Sequence, residues 1–384
     1  MRPAKRMDRL PPYMFAELDR KIAEKRAEGV DVISLGVGDP DQATPPHIVE
    51  ALQKAVEDPS THRYPSYYGM PELRQAVAEH YRDRFGVTLD PDAQVQPLIG
   101  SKEGLAHVPI AFVDPGDETL VPDPGYPVYA TATSLAGGEP VAFPMSAEGG
   151  FRPDFAGLPV SARTKLLWLN YPSNPTAAVA DLAFFEEAVA FAREHDLLLV
   201  HDAAYSEMTY EGYTAPSILE VPGAGDVALE IGSISKTHNM TGWRVGWAVG
   251  NPGAVKALAQ VKTNIDSGIF NAVQMAAIAA LTGPQDHLER LRATYQRRRD
   301  VVIETLNGLG WSLEPPKGSF YIWFPTRDEM GSAAFCDLIL ERTGVVISPG
   351  SGYGEAGEGY ARISLTVPDE RLEEAMGRIR EALA

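Results

Sequence analysis

Lys236 stands among hydroxyls in the run Ser233-Ile234-Ser235-Lys236-Thr237, and Arg244 follows in Gly242-Trp243-Arg244-Val245-Gly246. A lysine amine attacks carbonyl carbon once desolvation or a neighbouring cation lowers its pKa, and Arg244 is such a cation. Ser233 and Ser235 offer hydroxyl donors to phosphate oxygens, and the fixed charge of Arg244 suits a doubly charged phosphate. The chemistry implied is a lysine joined to an aldehyde beside an anchored phosphate. Three further places complement it. Asp202 ends the apolar run Leu197-Leu198-Leu199-Val200-His201, and a carboxylate buried there is costly without a cationic partner. Arg362 lies inside Ala361-Arg362-Ile363-Ser364-Leu365, where it needs an anion; a carboxylate held by two N–H groups matches its fork. In Gln96-Pro97-Leu98-Ile99-Gly100-Ser101-Lys102, a strand passes into a helix through small residues. Helix N-terminal N–H groups bind phosphate, so Ser101 and Lys102 are candidates for a cradle.

The elements that would position these groups follow from periodicity. Residues 227–231 and 245–250 read as strands, which puts Lys236 in a loop at a strand end. Loops at strand ends hold the chemistry of α/β folds. Lys165 to Asn170 is nearly all apolar, as a central parallel strand should be. Asp181 to His195 and His47 to Val56 read as helices, as do residues 13–28, where Phe15, Leu18 and Ile22 share a face. Tyr126, fixed between Pro124 and Pro127, gives a stiff flat surface for stacking. Strand and helix patterns alternate from about residue 45 to 285, which predicts a parallel-rich α/β sheet. After Pro284 the charged run Arg297-Arg298-Arg299 reads as a solvated helix face. Short strands at 320–324, 345–347 and 361–365, with helices over 332–342 and from 368, predict a smaller α+β unit.

Two motifs compete with this reading. Ser233-x-x-Lys236 also matches the acylating serine of penicillin-binding proteins, but the Ser-Asp-Asn and Lys-Thr-Gly that family needs do not occur. Gly352-Tyr353-Gly354-Glu355-Ala356-Gly357 spells G-x-G-x-x-G, yet a strand rather than a helix follows, so a mobile loop is expected. A balance of 34 basic against 52 acidic residues, net −18, disfavours nucleic-acid and anionic-membrane partners. The single cysteine, Cys336, allows no intrachain disulfide or cysteine-rich metal site; no metal is expected, and a reducing, cytoplasmic setting is.

Taken with Gly242-Trp243-Arg244-Val245-Gly246, the Ser233-x-x-Lys236 run resembles the signature of the class I, fold type I aminotransferases, which use pyridoxal 5'-phosphate. The resemblance covers nearly the whole chain. It implies a mostly parallel seven-stranded sheet flanked by helices and a smaller α+β domain made from both chain ends. The expected divisions are an N-terminal segment at 1–45, a large cofactor-binding domain at 46–285 and a small domain at 286–384. Lys236 would hold the cofactor and shuttle the substrate proton, Asp202 would face the pyridine nitrogen, and Tyr126 would stack on the ring. Asn174, in Tyr171-Pro172-Ser173-Asn174-Pro175-Thr176, and Tyr205 would hold the phenolic oxygen, although Ala177 replaces the usual glycine after Thr176. Ser101, Lys102, Ser233, Ser235 and Arg244 would take the phosphate. Tyr64, in the pattern ending Gly69-Met70-Pro71-Glu72-Leu73-Arg74, would reach the phosphate of a partner subunit, which implies a homodimer with shared sites. Gly38 and Arg362, with Asn174, would hold the substrate carboxylate. The order of motifs is similar to bacterial sequences grouped as LL-diaminopimelate aminotransferases of lysine biosynthesis, with 2-oxoglutarate as the acceptor. Aspartate, alanine or aromatic donors remain open, as does a carbon-sulfur β-lyase with the same cofactor residues; a regulatory cofactor-sensing module is disfavoured.

Overall fold

A computed structural model describes residues 1–10, 14–327 and 329–384. From the N-terminus come α1 (Met14–Ala27), β1 (Ile33–Ser34), α2 (Pro46–Val56) and α3 (Pro71–Phe85). The middle of the chain runs β2 (Val95–Leu98), α4 (Ser101–Phe112), β3 (Glu118–Asp123), α5 (Val128–Ala136), β4 (Glu139–Pro144), β5 (Thr164–Asn170), α6 (Leu182–Glu194), β6 (Leu198–Asp202), β7 (Ala228–Ser233) and β8 (Gly246–Gly250). Then follow α7 (Pro252–Ile265), α8 (Asn271–Thr282), α9 (Asp286–Gly308), β9 (Tyr321–Pro325), α10 (Ser332–Thr343), β10 (Val345–Val346), β11 (Ser348–Pro349), β12 (Tyr360–Ser364) and α11 (Asp369–Leu383).

Seven strands make one sheet in the order β2-β8-β7-β6-β5-β3-β4, parallel except for β8, which runs antiparallel to both neighbours. The inner strands are apolar on both faces because helices cover both: Leu166, Leu167, Trp168 and Leu169 of β5 are all buried. Each such side chain contributes about 1.5–3 kcal/mol on leaving water. Strand registry then aligns the chemistry. Asn170 lies opposite Asp202, and Asp202 lies opposite Ile231, so β5 and β6 finish level while β7 runs two residues further to Ser233. Helix α6 starts where expected because the Asp181 carboxylate accepts the N–H of Phe184 at 2.9 Å.

The chain ends meet in a second unit. β1 pairs in parallel with β10, Ile33 opposite Val345, while β11, β12 and β9 form an antiparallel sheet. Leu18 and Ile22 of α1 pack on Leu340 and Val346, as their spacing suggested; Tyr13 and the side chain of Phe15 lie outside the described residues.

Two features depart from the sequence reading. β4 has Pro140 and Pro144 within six residues, which argue against a strand; it forms because it is the sheet edge, where a missing N–H costs no ladder bond. In the arginine run, Arg298 and Arg299 are buried and not solvated. The Arg298 guanidinium donates to both oxygens of Asp41, at 2.7 and 2.9 Å, and to Asp369 at 2.6 Å. Arg299 pairs with Glu211 at 2.6 Å. A 3.6-residue period turns two of three consecutive side chains inward, and partners distant in sequence neutralise them. Among the described residues no helix is long and apolar enough to cross a membrane.

Candidate active site

The turn after β7 projects Lys236 toward the level ends of β5 and β6. Its ammonium donates to the Gly38 carbonyl at 2.7 Å and lies 5.6 Å from the Phe320 ring centre. Burial lowers its pKa to about 8; Arg244 and Arg362 push the same way, and Asp39 opposes them. This is the activation anticipated for a lysine nucleophile, although burial outweighs the neighbouring cation.

Asp202 ends β6 almost fully buried. Its Oδ2 accepts the Tyr129 hydroxyl at 2.9 Å, and its Oδ1 accepts the Ala204 N–H at 3.3 Å. Burial raises the carboxyl pKa, and the Tyr129 and Ala204 donors and the nearby His201 pull it back. On the opposite face of β6, His201 spans Glu230 Oε2 and the Tyr171 carbonyl, each at 3.0 Å. Glu230 also accepts the Tyr81 hydroxyl at 2.7 Å, the Ser217 hydroxyl at 2.9 Å and the Ile218 N–H at 3.0 Å. This buried network ties the ends of β5, β6 and β7 together beneath the site.

Arg362 of β12 is wholly buried. Nη1 donates to Asn174 Oδ1 and Nη2 to the Gly36 carbonyl, both at 2.6 Å, while the Tyr321 and Tyr353 rings lie 4.0 and 4.8 Å from the guanidinium carbon. Nε has no hydrogen-bond partner. A buried guanidinium with an orphan N–H fits an incoming carboxylate. Asn174 itself is oriented by its own N–H, which donates to Asn170 Oδ1 at 2.7 Å. Ala177 takes φ 59°, the left-handed conformation the family's glycine would adopt. The Tyr205 hydroxyl meets that of Tyr321 at 3.0 Å. Gly38 is glycine for a steric reason: a Cβ there would sit 2.0 Å from the Tyr321 hydroxyl.

Ser101 opens α4, preceded by Gly100 at φ 76°. A Cβ on Gly100 would lie 2.2 Å from Arg244 Nη2, and one on Gly246 would lie 2.8 Å from the Ser101 N–H nitrogen. Two glycines thus let the exposed Arg244 and the α4 N-terminus close on one another. Arg244 holds φ 58°, ψ 59°, an uncommon conformation for a side-chain-bearing residue and one found at functional sites. Lys102 is exposed beside Ser101, and Ser235 is buried in the Lys236 turn. The Ser233 hydroxyl faces inward, donating to the Val245 carbonyl at 3.1 Å and accepting the Ser235 N–H at 3.1 Å. Tyr126 is half-buried, its ring edge-on to Tyr129 at 5.8 Å. Tyr64 is not gathered with the others; it is 87% exposed. A cleft of about 880 Å³ opens beside Tyr126 and Tyr353, and Lys236 does not line it.

These groups fit pyridoxal phosphate: an anion cradle that a Cβ at Gly100 or Gly246 would fill, a buried carboxylate for a ring N–H and an amine primed for an aldehyde. Tyr129, Tyr321, Tyr353, His201 and Glu230 escaped the sequence reading. Tyr129 alone had a signal there, one helical turn beyond Tyr126.

Comparison with known proteins agrees. The family described as "Aminotransferase class I and II" matches residues 30–379. The chain is 55% identical to LL-diaminopimelate aminotransferase of Moorella thermoacetica, covering 100% of this chain and 99% of that protein. It is 57% identical to the protein of that name from Desulforudis audaxviator, covering 99% and 97%. Among solved structures, substrate-bound BacF from Bacillus subtilis superposes with a TM-score of 0.95 at 38% identity over 99% of this chain and 98% of that one. Aspartate aminotransferase from Thermus thermophilus with maleate gives 0.93 at 33% identity over the whole of both chains. With adjacent strand ends presenting a lysine, a carboxylate and an asparagine, and with full-length likeness on every side, this chain belongs to the class I and II aminotransferases of fold type I, pyridoxal-phosphate enzymes that move an amino group between an L-amino acid and a 2-oxo acid.

Proposed function

We propose that the amino donor is LL-diaminopimelate and the acceptor 2-oxoglutarate. The observation that carries this is identity of 55% and 57%, over essentially the full chain, to two proteins of that name. A panel of amino donors against 2-oxoglutarate tests it: LL-diaminopimelate should give the highest kcat/KM, and preference for aspartate, alanine or an aromatic donor would refute it.

The residues take these roles. Bound pyridoxal phosphate supplies the electron sink that makes the substrate Cα–H acidic. Lys236 would hold the cofactor through Nζ, and its free amine would take the substrate Cα proton and return it to the cofactor's C4′. Asp202 would keep its charge toward the ring N–H, Tyr126 would cover the ring face, and Asn174 and Tyr205 would orient the phenolic oxygen. Ser101, Lys102, Ser235 and Arg244 would take the phosphate, whereas the Ser233 hydroxyl, spent on the Val245 carbonyl, would support the turn that carries Ser235 and Lys236. Arg362, with Asn174 and Gly38, receives the substrate α-carboxylate, for which its unpartnered Nε is suited. Lys236→Ala should abolish both turnover and borohydride-fixable cofactor; undiminished turnover would remove Lys236 from the mechanism.

The working unit is a homodimer in which Tyr64 serves the neighbouring site. Supporting this, Tyr64, Tyr67, Tyr68, Ile265, Phe270 and Met275 are all exposed. Their loops adjoin, since a Cβ on Gly268 would lie 2.9 Å from the Ser66 carbonyl. An apolar, tyrosine-rich patch of this kind suits a permanent interface. The smaller domain combines residues 1–45 with 286–384 around a cofactor domain at 46–285. A cytoplasmic setting suits the lone cysteine, Cys336, which is free and buried.

A further inference from the structure

The G-x-G-x-x-G stretch leads into a strand and opens no α-helix, yet the glycines of this loop have a strict geometry. Gly350 and Gly357 pack backbone to backbone: a Cβ on either would lie 2.2 or 2.1 Å from the other's carbonyl oxygen. Gly354 has φ 132°, and a Cβ there would lie 2.0 Å from Asp123 Oδ1. Asp123 belongs to the other unit, as the last residue of β3, and is itself buried. Its Oδ2 accepts the N–H of Glu355 at 3.1 Å and its Oδ1 accepts that of Ala356 at 3.0 Å. The Gly125 N–H also donates to the Tyr353 carbonyl at 2.8 Å. Successive backbone N–H groups make a concavity that binds anions, and here the anion is a side chain of the same protein. The loop expected to be mobile is therefore docked.

What the loop carries gives the contact its meaning. Tyr353 lies in it, with its ring 4.8 Å from the guanidinium carbon of Arg362 and edge-on to Trp323 at 6.0 Å. Asp123 itself stands three residues before Tyr126, the aromatic expected on the cofactor ring. One carboxylate thus joins the loop over the cofactor side to the loop that walls the arginine. Among the described residues its hydrogen-bond partners are these loop N–H groups and no cation, and burial raises its pKa, so the docked loop is what satisfies its charge.

We infer that Asp123 is a positioning residue for the substrate-carboxylate clamp: seated on the N–H groups of Glu355 and Ala356, it docks the Gly350–Gly357 loop so that Tyr353 holds Arg362 in register with the cofactor side of the site. The inference rests on Arg362 receiving the α-carboxylate, and its test separates the two ideas. Asp123→Ala and Asp123→Asn are made in the full-length holoenzyme, with Gly354→Ala as a third variant that disturbs the contact from the loop side. In substrate-free enzyme, amide exchange at Glu355 and Ala356 should accelerate about tenfold or more in Asp123→Ala, with Asp123→Asn intermediate because one acceptor oxygen remains. The KM for both amino donor and 2-oxo acid should rise about tenfold, since both carry the α-carboxylate, while kcat changes less. Pyridoxal phosphate affinity should stay within about twofold, because both Asp123 oxygens are taken by N–H groups of the docked loop and neither by a residue assigned to the cofactor. Unchanged exchange would overturn the docking. Faster exchange with unchanged KM would cut its link to the clamp, and a parallel collapse of cofactor affinity would place Asp123 at the cofactor instead. If Arg362→Lys leaves KM unaltered while exchange responds as expected, the assignment of Arg362 fails and the docking stands.

Discussion

Replacing Tyr129 by phenylalanine removes one hydroxyl from a buried carboxylate and leaves its ring stacked on Trp168, 5.0 Å away. That hydroxyl donates to Asp202 at 2.9 Å, and among the described residues the other hydrogen bond to this carboxylate is the longer one from the Ala204 backbone N–H at 3.3 Å. A hydrogen bond to a charged acceptor is worth about 1.5–3 kcal/mol. One pKa unit corresponds to about 1.36 kcal/mol, so losing the donor should raise the Asp202 pKa by about one to two units. The sign matters. Burial already raises this carboxyl, and a further rise protonates it at a higher pH, withdrawing the charge that faces the cofactor's ring N–H. Pyridoxal phosphate should then bind about 10- to 100-fold more weakly, with the loss greater at pH 6 than at pH 8. Apoenzyme titrated with cofactor across that range, read by visible absorbance, gives the dissociation constants directly. Affinity unchanged at every pH, or a deficit that grows toward alkaline pH, would refute the reasoning.

Capture of pyridoxal phosphate by apoenzyme needs the neutral Lys236 amine, so its rate should rise about tenfold per unit up to pH 8 and level off above it; a rate still climbing at pH 10 would contradict the depressed pKa. Arg362→Lys keeps the charge but loses the planar fork, and should raise the KM for the amino donor by at least about tenfold in steady-state assays. Glu230→Leu leaves His201 without its buried partner and should cost about 3–5 kcal/mol, measurable as a lower urea midpoint. Leu167→Ala, in the middle of β5, should cost about 2–5 kcal/mol by the same measurement.

What could be read from the chain alone was whatever depends on local pattern. The apolar runs ending in Asn170 and Asp202, and the loop around Lys236, are strand-end signals, and the sheet registry puts them side by side. Arg362 could be read because a charge amid Ala361, Ile363 and Leu365 demands an explanation. Tyr321 and Tyr353 could not, since an aromatic among apolar neighbours looks the same in a core as in a site, and Tyr129 offered only its place one helical turn beyond Tyr126. For Tyr129 and Tyr321 the meaning lies in partners 73 and 116 residues away, and for Tyr353 in the approach of its ring to Arg362 across a folded loop. His201 was hidden for the same reason, as its carboxylate is on a neighbouring strand. β4 and the inward-facing Arg298 and Arg299 escaped because each follows from position in the sheet or from distant acids, neither of which is a property of a short window.

The pairing of β1 with β10 brings opposite ends of the polypeptide together, and Arg362 reaches a carbonyl 326 residues earlier in the chain. During synthesis, therefore, the seven-stranded sheet and its lysine can emerge and fold while the arginine is still within the ribosome. The nascent enzyme would acquire its capacity to capture the vitamin before it could recognise an amino acid. A chain stopped short of β12 should remain yellow on reconstitution and yet turn nothing over.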